Sequence, residues 1–150
     1  MKEKRIISTQ ELMPLISDIL KTADRVRFTV KGNSMYPLLR GNRDQVDVVK
    51  CDKVRKYDIV LYRRENGAYV LHRVLKNQNG TLSIAGDFEQ ELEHPVYENQ
   101  VIAKVDNVIR ENGRVISCRN IFYRLYCTVW AKALKRRRRI LRILKKLRKW

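Results

Sequence analysis

The chain has 150 residues, 44% of them hydrophobic, and carries 33 Lys and Arg against 16 Asp and Glu, a formal charge of +17. This length suits one domain that buries a core without disulfides or metal. The cysteines are odd in number, widely spaced and without a Cys-x-x-Cys pair: Cys51, Cys118 and Cys127. Their pattern argues against a disulfide framework and a thiolate zinc site, and it indicates a reducing compartment.

The positive charge is concentrated in the last quarter of the chain. Residues 1–111 contain 19 Lys and Arg and all 16 Asp and Glu, whereas residues 112–150 contain 14 Lys and Arg and no acid. A polycation of this kind favours anionic partners, such as a membrane surface, a nucleic acid or an acidic peptide.

The first predicted segment, residues 1–24, contains an amphipathic helix over 8–22. Ser8 and Glu11 have the spacing of a capping box, and Pro14 predicts a kink or a later start. The apolar residues on one face of this helix are Leu12, Leu15, Ile16, Ile19 and Leu20. The charged N-terminus is not followed by an apolar region of the secretory type.

The second segment, residues 25–118, changes to a periodicity of two. Strands are predicted at 26–30, 46–49, 58–63, 69–75, 82–85, 101–109 and 115–118. Turn sequences separate many of them, several with Asn-Gly. Many short strands of this type predict a mainly β, antiparallel, partly closed fold.

The third segment, residues 119–150, predicts a basic amphipathic helical tail with tryptophans at Trp130 and Trp150. Its apolar residues cover about half of a helical wheel at Ile140, Leu141, Ile143, Leu144 and Leu147. Such a helix suits the surface of an anionic membrane, and packing on the β-body is the alternative. The longest apolar stretch, 121–133, is too short and too polar to span a bilayer.

Ser34 is a candidate nucleophile because it lies in the sequence Gly32-Asn33-Ser34-Met35-Tyr36-Pro37. Gly32 permits a tight turn and Pro37 ends it. That geometry lifts a hydroxyl out of a sheet and leaves backbone N–H groups for an oxyanion. A serine in an ordinary loop is the alternative interpretation.

A serine nucleophile needs a base, and the sequence has two histidines that could serve as one. His72 alternates with Val70 and Val74 on one face of a predicted strand, where burial would lower its pKa and keep it neutral, as a general base requires. A packed structural histidine is the alternative. His94 is predicted to be a solvated loop residue.

A carboxylate follows the strand that ends in Ile84-Ala85-Gly86-Asp87. Asp87 would lie at a loop mouth, where it can orient an imidazole. An aspartate in a plain turn is the alternative. Glu89, Glu91 and Glu93 follow closely, so the identity of any orienting acid stays open.

Five short motifs in order resemble the signal peptidase and LexA-type serine peptidase clan over about residues 25–109. They are the Ser34 motif, Asp44-Gln45-Val46, Tyr57-Asp58-Ile59-Val60-Leu61-Tyr62, Leu71-His72-Arg73-Val74 and Ala85-Gly86-Asp87. The resemblance implies a signal-peptidase/LexA-like β-fold with Ser34 as nucleophile. It implies His72 as general base, as in the endoplasmic-reticulum, archaeal and some Gram-positive branch. Asp87 is the expected acid, with Glu91 and Glu93 as substitutes, whereas Asp44 and Asp58 match structural positions.

Two departures from that clan shape the expected function. Gly32 stands where membrane signal peptidases usually have a serine, which leaves the Ser34 N–H, with Asn33, for the oxyanion. The sequence also has no N-terminal membrane anchor, as in small stand-alone bacterial members found beside peptide-maturation systems. We therefore expect a serine endopeptidase that cleaves a leader or signal peptide from a precursor.

The expected enzyme uses no cofactor or metal. It is expected in the cytoplasm, peripherally attached to the inner face of the membrane through the tail, with nucleic acid a less favoured partner. The alternative is a non-catalytic peptidase-like module whose basic tail binds anionic membrane or nucleic acid.

Overall fold

A computed structural model of the chain describes residues 9–89 and 91–147. The N-terminal helical segment is broken into α1 (Thr9–Leu12), a 3-10 turn (Met13–Leu15) and α2 (Ile16–Ile19). The break coincides with Pro14, whose ring and missing N–H interrupt a helix, as the sequence predicts. Ser8, the expected cap, lies outside the described residues.

Eight strands form one antiparallel sheet. They are β1 (Val26–Thr29), β2 (Gln45–Lys50), β3 (Ile59–Arg63), β4 (Tyr69–Gln78), β5 (Thr81–Ala85), β6 (Glu93–Tyr97), β7 (Val101–Ile109) and β8 (Val115–Ser117). The order is β1-β2-β7-β3-β4-β5-β6, with β8 paired to β7. A mainly β, antiparallel fold is therefore confirmed. The partial closure predicted from the sequence is not found in the described sheet, because β1 and β6 form its two ends.

Strand β6 was not expected from the sequence. Its acidic residues and Pro95 disfavour a strand assignment, but β6 lies at the end of the sheet, where proline is tolerated. The prediction that His94 lies in a loop is therefore wrong, although its side chain is exposed, as expected. A 3-10 turn (Glu98–Gln100) links β6 to β7.

The sheet is covered on both faces, so consecutive strand residues enter different cores. Leu61 belongs to the larger core, whereas its neighbours Val60 and Tyr62 belong to the smaller one. The larger core also includes Ile16, Met35, Leu39, Val46, Tyr123 and Cys127. The smaller core includes Val54, Val74, Leu82, Ile84 and Val96.

Two helices follow β8: α3 (Ile121–Lys132) and α4 (Leu134–Leu147). The Asn120 side chain caps α3 by accepting a hydrogen bond from the Phe122 N–H at 2.8 Å. Tyr123 and Cys127 on α3 enter the larger core, so α3 is packed on the β-body. Trp150 lies outside the described residues. Across the part of the chain that the structure describes, no helix combines the length and apolar character needed to cross a membrane.

Candidate active site

Ser34 lies in the loop between β1 and β2, and backbone contacts hold this loop in place. Gly32 has φ 73°, a conformation that favours glycine. The Asn33 side-chain oxygen accepts a hydrogen bond from the Gly41 N–H at 3.1 Å. A Cβ atom on Gly41 would lie 2.2 Å from the Gly32 carbonyl oxygen, so only glycine fits there. The loop thus has a defined shape, with Ser34 half-buried.

Asp44 fastens the end of the same loop. Its buried carboxylate accepts hydrogen bonds from the Arg40 backbone and guanidinium and from Arg110. Burial alone would raise the pKa of Asp44, but the two arginines hold it below the usual value. Asp58 accepts from the Arg55 N–H in a turn at 2.8 Å. Both contacts support the structural roles expected of these aspartates.

His72 lies on β4 opposite Val60 of β3. Its side chain is on the face of the smaller core and only 2% exposed. Burial lowers the pKa of His72, although the nearby Glu89 and Glu93 carboxylates act in the opposite direction. Burial therefore favours the neutral imidazole. The burial itself agrees with the strand alternation in the sequence.

Ser34 and His72 converge on Gly86. A Cβ atom on Gly86 would lie 2.6 Å from the Ser34 carbonyl oxygen and 3.1 Å from His72 Nε2. The Phe88 N–H also donates to the Ser34 carbonyl oxygen at 2.9 Å. The loop after β5 thus holds the Ser34 backbone beside the histidine ring. A side chain at position 86 would push the two apart.

The far side of the His72 ring faces Tyr62. The Tyr62 hydroxyl donates to Glu93 Oε2 at 2.8 Å and lies 3.5 Å from His72 Nδ1. Because its single proton goes to Glu93, the Tyr62 oxygen can only accept from His72. This contact favours a proton on Nδ1, which leaves the lone pair on Nε2, the nitrogen on the Gly86 side of the ring.

Glu93 is held ionised at the end of this chain of contacts. Partial burial would raise the pKa of Glu93, but hydrogen bonds from Arg64 and Tyr62 lower it below the usual value. Arg64 forms an ion pair with Glu93. Glu93 thus acts on His72 through Tyr62.

Asp87, the expected acid, is fully buried in an ion pair with Arg73. Arg73 Nε and Nη2 donate to the two carboxylate oxygens of Asp87 at 2.7 and 2.8 Å. Arg73 also donates to the Tyr57 carbonyl oxygen at 3.0 Å. Burial disfavours a charged guanidinium, yet Asp87 raises the pKa of Arg73 above its usual value. The role of Asp87 as the orienting acid stays a prediction.

The remaining acids differ in their distance from the ring. Glu89 Oε2 lies 3.7 Å from His72 Nε2, and Glu91 is exposed.

Within residues 9–89 and 91–147, no hydrogen bond joins the Ser34 hydroxyl to His72, and the Ser34 N–H has no protein acceptor. Catalytic hydrogen bonds are often long before substrate binds. The serine–histidine dyad therefore stays a prediction.

No role was predicted for Tyr62 or Arg73, whereas Glu89 was one of the nearby acids left open as the orienting group. Tyr62 could have been found from the strand register, because it sits diagonally across from His72 in the β3–β4 pair. The burial of Arg73 could not be predicted in this way, because arginine is rarely buried unless it has a partner.

The structure thus gathers a serine, a buried neutral histidine and two glutamates around the loop that begins at Gly86. Comparison of the chain with protein-family models, with curated proteins and with solved structures found no match.

Proposed function

We propose that this protein is a serine endopeptidase of signal-peptidase type that cleaves a leader or signal peptide from a precursor. Ser34 is the nucleophile and His72 is the general base. The observation that carries the proposal is the meeting of the Ser34 backbone and His72 Nε2 at Gly86. Burial of the imidazole adds support, since it keeps the base neutral.

The proposed reaction uses the Ser34 hydroxyl, the Ser34 backbone N–H and the His72 imidazole. Ser34 Oγ attacks the scissile carbonyl carbon while its proton passes to His72 Nε2, and the Ser34 N–H stabilises the oxyanion. The C–N bond then breaks, and the leaving amine takes the proton from His72. Water hydrolyses the acyl-enzyme, with His72 removing one proton, and Ser34 Oγ–H is restored.

The signal-peptidase/LexA-like fold is part of the same proposal. Its support is the placement of the sequence motifs on the sheet. Ser34 follows β1, His72 and Arg73 lie together on β4, and Gly86-Asp87 follows β5 directly.

The test is cleavage of a peptide library with small residues before the scissile bond, with products identified by mass spectrometry. Ser34→Ala and His72→Ala should each lower the cleavage rate by roughly 10³ or more. The matched controls are Ser17→Ala and His94→Ala, because both residues are exposed and neither takes part in the proposed reaction. Full activity in either site variant would refute the dyad.

A non-catalytic module is the second candidate function. The observation in its favour is that Glu89 Oε2 lies 3.7 Å from His72 Nε2, whereas no hydrogen bond among the described residues joins the Ser34 hydroxyl to His72. If the unaltered protein cleaves no peptide in the library, and still binds anionic vesicles or nucleic acid, this second candidate is correct.

A further inference from the structure

Helix α3 has two apolar faces, and among the described residues only one of them packs against the rest of the protein. The inner face carries Tyr123 and Cys127, both buried. The outer face carries four apolar residues that are between 60% and 78% exposed: Ile121, Phe122, Leu125 and Val129. Three of these are spaced by four residues, so they form a stripe along one side of the helix. An exposed apolar patch of this kind marks an interaction surface.

Helix α4 repeats the pattern with charge beside it. Ile140, Ile143 and Leu147 are exposed and share one side of the helix. The exposed basic residues Arg139, Arg142 and Lys146 have the same spacing, displaced by one position. A basic stripe therefore runs alongside the apolar stripe of α4.

Charge decides between the possible occupants of this surface. Residues 112–150 contain 14 Lys and Arg and no acid, so two copies of the surface would repel each other. A nucleic acid would neutralise the positive charge but would not bury the two apolar stripes. The interface of an anionic bilayer takes both, because apolar side chains enter the acyl boundary while basic ones meet the phosphates.

We propose that α3 and α4 dock this protein on the surface of an anionic phospholipid membrane. The outer stripe of α3 and the exposed stripe of α4 enter the interface, and the adjacent arginines and lysines contact lipid phosphates. The proposal concerns binding alone and holds whether or not Ser34 is a nucleophile.

The inner face of α3 fixes this surface to the β-body. Trp130 Nε1 donates to the Asp87 carbonyl oxygen at 3.1 Å, and Arg73 Nη1 lies 2.8 Å from the Cys127 sulfur. The outer stripe is thus presented by a helix that is already in place, so little ordering opposes docking.

The test is sedimentation of the full chain with phosphatidylcholine vesicles that contain or lack phosphatidylglycerol, at low and high salt. We expect binding to the anionic vesicles and a fall in binding as salt rises. The triple variant Arg139→Gln, Arg142→Gln, Lys146→Gln should lose roughly a hundredfold in affinity, from about one kcal/mol per basic residue. Its control is Lys31→Gln, Lys53→Gln, Lys76→Gln, which changes three exposed lysines of the β-body.

The apolar stripe is tested by Leu125→Gln with Val129→Gln, which should lower vesicle affinity by about tenfold or more. The matched control is Leu92→Gln with Val115→Gln, a pair that is 53% and 56% exposed on the β-body. Equal binding to neutral vesicles would overturn the proposal. So would tight binding to duplex DNA or RNA that survives the Leu125 and Val129 changes, since a simple polycation would behave in that way.

Discussion

At the scale of single residues, opposing contributions set the pKa of His72. Its side chain is 2% exposed, and burial lowers its pKa, whereas the carboxylates of Glu89 and Glu93 raise it and Arg64 lowers it. Burial prevails, so the folded pKa lies below the ordinary histidine value of about 6.5. A general base in this state is available at neutral pH without a change in its protonation.

The pH dependence of kcat/KM follows from this balance. Activity requires neutral His72, so it should persist as the pH falls to about 6.5 and be lost only below that value, through the lowered pKa. Glu89→Gln removes a carboxylate that favours the charged imidazole, so the acid limb should move to lower pH. Glu91→Gln is the matched control and should leave the limb in place. An upward shift in the Glu89 variant would contradict the assignment of His72 as the base.

At the scale of elements, β4 carries two neighbouring residues that act on opposite faces of the sheet. His72 faces the smaller core, and its neighbour Arg73 reaches Asp87 after β5 and Cys127 on α3. Arg73 is fully buried, so its charge depends on these partners. The same ion pair therefore holds the loop that carries Gly86 and seats α3 on the body.

Breaking this pair should unfold the protein more readily. Asp87→Asn leaves the Arg73 guanidinium buried with an incomplete partner, which should cost about 3–5 kcal/mol of unfolding free energy. Chemical denaturation measures the change. The control is Asp18→Asn, which removes the exposed partner of Lys21 and should have little or no effect. Equal losses in both variants would show that Asp87 does not hold the elements together.

The alternation of β4 predicted the face and burial of His72, because a period of two separates the sides of a strand. It did not predict the contact with Tyr62, which depends on the pairing of Val60 with His72 in the β3–β4 register. The burial of Arg73 was not predicted, for another reason. Its burial depends on Asp87 and Cys127, which lie 14 and 54 residues away in the chain, and one sequence does not reveal such long-range partners.

At the scale of the whole molecule, α3 lies between the proposed membrane surface and the Arg73–Asp87 ion pair next to the proposed catalytic site. Leu125 and Val129 face outward, while Cys127 and Trp130 touch Arg73 and Asp87 on the other side. A helix is about 10 Å across. If both proposals hold, docking leaves about that distance between the lipid and Asp87, the neighbour of Gly86, and favours precursors held at the membrane.

This arrangement predicts a difference between tethered and free substrates. A cleavable peptide anchored to phosphatidylglycerol vesicles should be cut at least about tenfold faster than the same peptide in solution, because enzyme and substrate are concentrated on one surface. The Leu125→Gln, Val129→Gln variant should lose this advantage and still cut the free peptide at the unaltered rate. Loss of cleavage of both peptides would mean that the outer stripe supports the site itself. An unchanged advantage in the variant would mean that the membrane is reached by another surface.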